Sequence, residues 1–118
     1  TDPEVAWMGL SETQAQAQGV DYEKAVFPWA ASGRSLALGR NEGLTKIITD
    51  KSSGRLLGAG FVGPGAGELL AEAVLALEMG ADAADISLTI HAHPTLSESF
   101  AFAAEMIEGT ITDLYIKK

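Results

Sequence analysis

The sequence predicts an α+β fold, an antiparallel sheet with helices packed on one face. Strand-like runs crowd the first half of the chain, and apolar residues at helical spacing dominate the second. Two of the runs, Leu44–Thr49 and Arg55–Val62, flank Asp50-Lys51-Ser52-Ser53-Gly54, a composition that folds a chain back as a hairpin. With 118 residues, 47% of them hydrophobic, the chain can bury about 60–70% of its unfolded surface, enough for one core. No repeat, low-complexity tract or linker divides it, so residues 1–118 read as a single domain.

The elements follow in order. Glu4 to Met8 reads as a short strand. Ser11-Glu12-Thr13-Gln14 matches a capping box with Gln at the third helical position, and Gly19 closes the small helix that it opens. Tyr22 to Phe27 suits a strand, stopped by Pro28. After the hairpin, Glu68 to Met79 is the strongest helix, with Leu69, Leu70, Ala73, Val74 and Leu77 on one face and Gly80 behind it. Asp82 to Ile86 adds a short turn. Thr95-Leu96-Ser97-Glu98 is a second capping box, with Thr95 as N-cap and Glu98 reaching back. Leu96, Phe100, Ala103, Ala104 and Ile107 continue at helical spacing to Gly109.

Composition excludes several functions. A net charge of −8 argues against binding a phosphate backbone. No apolar run approaches the roughly 20 residues that span a bilayer, and no signal peptide is visible. The absence of cysteine excludes any disulfide exchange starting from this chain. No metal-ligand cluster stands out. Gly58-Ala59-Gly60-Phe61-Val62-Gly63 satisfies G-x-G-x-x-G, but no helix opens at its second glycine, and Pro64-Gly65 breaks the chain first. Close backbone approach explains these glycines better than a pyrophosphate does. Trp7, Phe27 and Trp29 are either core or part of an apolar patch that meets another subunit. Arg34 and Arg40 read as solvated charges, or as interfacial ones.

One segment carries chemistry. His91-Ala92-His93-Pro94-Thr95-Leu96-Ser97-Glu98 packs two imidazoles, a proline and a carboxylate together. Pro94 keeps His93 out of the helical region, directly ahead of the helix that presents Glu98 in its first turn. Glu98 either only caps that helix or also accepts a hydrogen bond from His93, and a carboxylate has lone pairs for both. His93 is then either a structural histidine beside a turn or half of an acid–base pair. His91 has no acidic partner at an obvious spacing.

The same residues resemble a known family. His-x-His-Pro-Thr-Leu-Ser-Glu is similar to the C-terminal signature of the dihydrolipoamide dehydrogenases, within the flavin-dependent pyridine nucleotide-disulfide oxidoreductases. The resemblance begins at Thr1-Asp2-Pro3-Glu4-Val5-Ala6-Trp7 and continues through Phe27-Pro28-Trp29-Ala30-Ala31-Ser32-Gly33-Arg34 and Gly67-Glu68-Leu69-Leu70. It ends with Glu108-Gly109-Thr110-Ile111-Thr112-Asp113-Leu114. In effect all 118 residues resemble the interface (dimerisation) domain of that enzyme.

The resemblance implies a shared site in a homodimer. FAD, NAD and a redox-cysteine pair would belong to parts of the parent upstream of this chain, and this chain alone would bind no cofactor and be inactive. His93 would take the proton from a dihydrolipoamide thiol, and Glu98 would orient the ring and stabilise the imidazolium. His93 and Pro94 would lie near the partner subunit's flavin, with the bond between them cis. Lipoyl groups of 2-oxo acid dehydrogenase complexes would be the substrate partners, and the cytoplasm of a bacterium the expected location. The alternatives are another disulfide reductase, such as glutathione or trypanothione reductase, or a purely structural dimerisation module. Leu96, Ser99 and His91 fit the lipoamide pattern better than the former, and mercuric reductase would need a C-terminal cysteine pair that is missing.

Overall fold

The structure, a computed structural model, describes residues 3–40 and 42–109. Thr1, Asp2 and the Thr110–Leu114 stretch of the resemblance lie outside the described residues. Among the described residues, four strands form one antiparallel sheet: β1 (Glu4–Gly9), β2 (Tyr22–Pro28), β3 (Leu44–Asp50) and β4 (Leu56–Gly63), in the order β1-β4-β3-β2. Each lies within one residue of the run that predicted it. Pro28 is the last residue of β2 rather than its stop, paired with Leu44. It is tolerated because β2 is an edge strand and the missing N–H costs no ladder bond there. The β3–β4 hairpin closes through Asp50 N–H to Arg55 O and Gly54 N–H to Asp50 O, both at 2.8 Å. The Asp50 carboxylate accepts from Ser52 Oγ, Ser53 Oγ and the Ser53 N–H, which hold its pKa below the ordinary value.

Strand alternation separates two faces. Met8, Ala25, Phe27, Ile47, Ala59 and Phe61 point inward. Among the described residues, five α-helices connect and cover the sheet: α1 (Glu12–Ala17), α2 (Gly33–Leu38), α3 (Ala66–Glu78), α4 (Ala83–Leu88) and α5 (Glu98–Glu108). Helix α3 packs on β4 and β1, α5 packs on β2 and β3, and α4 packs on α5. Phe27 meets Phe102 at 5.0 Å between ring centroids, and Phe61 meets Phe100 at 6.0 Å. Phe27, Phe61 and Phe100 are fully buried, and each contributes roughly 1.5–3 kcal/mol through burial. Phe27 and Trp29 are therefore core, whereas Trp7 stays 38% exposed on the outer face. There Trp7 lies over Gly60, where an added Cβ would come within 1.9 Å of the ring.

Several local expectations need correction. The turn at Asp82–Ile86 is a helix, α4, because Asp82 and Asp85 form a reciprocal capping box. Val74, placed on the apolar face of its helix, is 40% exposed. The apolar stripe of α3 is wider than the sheet beneath it, so Val74 joins Leu75 and Met79 outside. Helix α3 begins two residues early, at Ala66, with no N-cap side chain of its own. Glu4 of β1 supplies the missing acceptor to the Gly67 N–H at 2.9 Å. A 3₁₀ turn at Trp29–Ala31 and α2 were not anticipated, because Leu36 and Leu38 point to solvent and leave no periodic signal. Arg40 pairs with Glu42 at 2.6 Å.

Helix α1 crosses part of the outer face. Its capping box forms as the sequence indicates, with Ser11 Oγ accepting the Gln14 N–H and Gln14 accepting the Ser11 N–H. Glu12 accepts from Lys46 and, at 3.2 Å, from Lys24. Lys46 first and Lys24 second hold the Glu12 carboxyl down at about 2.

Candidate functional site

The site forms where α5 begins. Residues 89–97 run from the end of α4 to α5, and the His93–Pro94 bond is cis. Glu98 opens α5 and reaches back to accept the Thr95 N–H at 2.8 Å. The other half of the expected capping box is absent. Thr95 Oγ1 instead donates to Ala92 O at 2.6 Å, and the N-cap residue is Ser97 with helical backbone angles and no side-chain cap. The chain enters the helix through tighter bonds, Ser99 N–H to Leu96 O and Phe100 N–H to Ser97 O, which do the capping work of the missing hydroxyl.

The Glu98 carboxylate also faces His93. Both oxygens lie near Nδ1, at 3.0 and 3.1 Å. An ionised carboxylate only accepts, so the ring carries its proton on Nδ1 and leaves the Nε2 lone pair free. The His93 side chain is 72% exposed while Glu98 is 12% exposed. The pair is thus a fixed carboxylate behind an outward-facing imidazole.

Beneath the site, α5 is tied to the sheet by a buried chain. Trp29 Nε1–H donates to Thr45 Oγ1 at 2.9 Å, which stands 2.7 Å from Ser99 Oγ. Ser99 is the neighbour of Glu98, so this chain fixes the first turn of α5 from below. Trp29 itself lies against Gly63, whose φ of +148° and close approach admit no side chain.

His91 has a partner that the sequence did not reveal. Its Nε2 lies 2.5 Å from Glu72 Oε2 on α3, and its Nδ1 lies 2.8 Å from Thr89 O. The two residues are 19 apart in sequence, and no local spacing could have joined them. Around the segment, Leu75, Met79, Leu88 and Ile90 are exposed by 63–96%, an apolar patch on α3, α4 and the loop. A depression of about 280 Å³ between this patch and α5 is lined by Leu88, Ile90, His91, Glu98 and Phe102. Gly58, Gly60 and Gly63 lie within β4 against Leu10, Trp7 and Trp29, so the G-x-G-x-x-G run frames no nucleotide. No group of three or more potential metal ligands occurs among the described residues.

Comparison with known proteins agrees with this architecture. Residues 1–104 match the family model described as "Pyridine nucleotide-disulphide oxidoreductase, dimerisation domain". The chain belongs to that family. It is 58% identical to dihydrolipoyl dehydrogenase of Vibrio parahaemolyticus over the whole chain, which covers 25% of that protein. It is 60% identical to the Vibrio cholerae enzyme of the same name over 97% of the chain and 24% of the enzyme. The chain therefore spans about a quarter of the length of the curated relatives that it matches. Among solved structures, LpdA from Mycobacterium tuberculosis superposes with a TM-score of 0.84 at 26% identity, covering 89% of this chain and 23% of LpdA. The HOCl-induced flavoprotein disulfide reductase RclA from Escherichia coli gives the same TM-score and identity, covering 89% of this chain and 24% of RclA. As a disulfide-reductase dimerisation domain, the chain has the α+β fold of its structural neighbours. No described helix is long and apolar enough to cross a membrane.

Proposed function

We propose that residues 1–118 are the interface domain of a dihydrolipoyl dehydrogenase, and that they supply an acid–base pair, His93 and Glu98, to the active site of the partner subunit. The observation that carries this reading is the Glu98 carboxylate fixed on His93 Nδ1 with the opposite nitrogen open to solvent. A base so placed serves a substrate that arrives from outside the domain.

Only a thiolate attacks a disulfide, so a dihydrolipoyl thiol must first lose its proton. His93 Nε2 takes that proton, and the ring, now doubly protonated, is held by Glu98. The thiolate then attacks a cysteine disulfide elsewhere in the parent protein, forming a mixed disulfide as that S–S bond breaks and one cysteine leaves as a thiolate, and in the reverse direction His93 returns the proton. FAD and NAD, bound by other parts of the parent, supply the electron transfer. The residues here that suit a flavin are the exposed His93 and Pro94, which can face a ring brought by another subunit. The exposed patch of Leu75, Met79, Leu88 and Ile90 beside them is the natural seat for a second copy, because burying it stabilises by roughly 25 cal/mol per Å².

The test uses the full-length parent. His93→Gln should lower NAD reduction by dihydrolipoamide about 100-fold or more, with dimer mass and flavin content retained. Near-normal turnover would leave His93 a structural residue. Loss of the dimer with His93→Gln would favour a purely structural module.

A further inference from the structure

The catalytic segment is fastened in an unusual way. Among the described residues, no backbone–backbone hydrogen bond holds residues 90–93 to another element. Apolar burial does not hold them either, since Leu88 is 80% and Ile90 96% exposed. Of residues 88–94, His91 alone is not exposed, and its side chain is 8% exposed against 72% for His93. On the C-terminal side the segment is held by Glu98, through the Thr95 N–H and the His93 ring, and by Thr95 Oγ1, which donates to Ala92 O. On the N-terminal side it is held by the His91 ring, bonded to Glu72 at 2.5 Å and to Thr89 O at 2.8 Å.

Two oxygens flank the His91 ring, the Glu72 carboxylate at one nitrogen and the Thr89 carbonyl at the other. Glu72 stands on a rigid support. It precedes Ala73, which is wholly buried where α3 meets the sheet. We propose that the Glu72–His91 pair is the anchor that positions His93: His91 and Glu72 are positioning residues for the proton transfer and touch no substrate. This rests on the catalytic reading of His93 given above. Only Ala92 separates His91 from His93, too little chain for a slack backbone to absorb a displacement of His91. A misplacement of about 1 Å at a reacting group can cost up to 100-fold in rate, so an anchor of this kind acts on kcat.

The experiment uses the full-length flavin-loaded dimer and four variants: Glu72→Ala, Glu72→Gln, His93→Gln, and Glu72→Ala combined with His93→Gln. Glu72→Ala should lower kcat about 10-fold, with KM for dihydrolipoamide within about twofold and dimer and flavin retained. Glu72→Gln keeps an acceptor for the His91 N–H and should recover kcat to within about threefold of wild type. Because the anchor acts through His93, Glu72→Ala should cost nothing further once His93 is Gln. Wild-type kcat in Glu72→Ala, or an equal loss on the His93→Gln background, overturns the positioning role while the catalytic reading stands. Wild-type turnover in His93→Gln overturns the catalytic reading, and the positioning role with it. If Glu72→Ala loses dimer or flavin, His91→Gln carries the same comparison. A kcat loss that vanishes on the His93→Gln background then supports the anchor, and wild-type kcat overturns it.

Discussion

Glu98 grips the His93 ring with both carboxylate oxygens, at 3.0 and 3.1 Å from Nδ1. The same carboxylate accepts the Thr95 N–H. One side chain therefore starts a helix and orients an imidazole, and the two jobs are separable. Glu98→Ala removes both and should cost about 1 kcal/mol of stability as a lost cap. Glu98→Gln keeps an acceptor for the Thr95 N–H, so it should recover most of that stability without restoring full turnover in the parent enzyme. Urea unfolding read beside steady-state kinetics checks both; equal stability of the two variants would contradict the capping role.

The Trp29–Thr45–Ser99 chain is buried, so breaking its middle is costly. Thr45→Val keeps the shape but leaves the Trp29 N–H and the Ser99 hydroxyl without their partner. An orphaned buried polar group costs about 1–3 kcal/mol. The urea midpoint of Thr45→Val should fall accordingly, and an unchanged midpoint would show that the chain contributes nothing.

Gly63→Ala should be more damaging. A Cβ there would come within 2.2 Å of the buried Trp29 ring, and φ is +148°. The ring is wholly buried and has nowhere to move. Overpacking and backbone strain together predict a loss of about 2–4 kcal/mol. Gly60→Ala also presses on an indole, that of Trp7, but that ring is partly exposed and can swing away. Thermal unfolding should therefore rank Gly63→Ala well below Gly60→Ala.

Much of this architecture is legible in the chain, and the exceptions share a cause. Strand runs, the Ser11 capping box and the α3 stripe are local patterns, and each finds its place in the structure, Val74 of the stripe excepted. The Glu98 carboxylate beside His93 is equally local, five residues on and anchored by a proline and a helix start. What escaped depends on tertiary contacts. Glu72 meets His91 only because α3 and the end of α4 come together over the sheet. Helix α2 escaped because Leu36 and Leu38 face solvent. The Asp82 box was overlooked because Asp85, not Glu or Gln, holds its third position. Thr95 misled because a threonine can also donate, here to Ala92 O.

The outer-face cluster predicts a pH effect. Lys46 and Lys24 lower the Glu12 carboxyl from 4.5 to about 2, so the folded state favours its ionised form. Such a group stabilises fully above its unfolded value and loses that contribution as pH falls through the folded one. Glu12→Gln should melt below wild type at neutral pH, with the gap closing between pH 4.5 and about 2. Lys24 is exposed while Glu12 and Lys46 are half-buried, so added salt should shrink the gap in part. A gap constant from neutral pH down to about 2 would contradict the ion pairs.

The most direct measurement is subunit complementation in the full-length enzyme. One variant carries His93→Gln, expected to be nearly inactive, and the other lacks the redox-cysteine pair expected in the parent but keeps His93. Denatured together, refolded and supplied with FAD, they form hybrids in which one site combines an intact cysteine pair with an intact His93 from the other subunit. If His93 serves the partner's site, a statistical mixture should recover about a quarter of wild-type turnover. A mixture as inactive as its two parents, with hybrid dimers present by mass, would contradict the shared site.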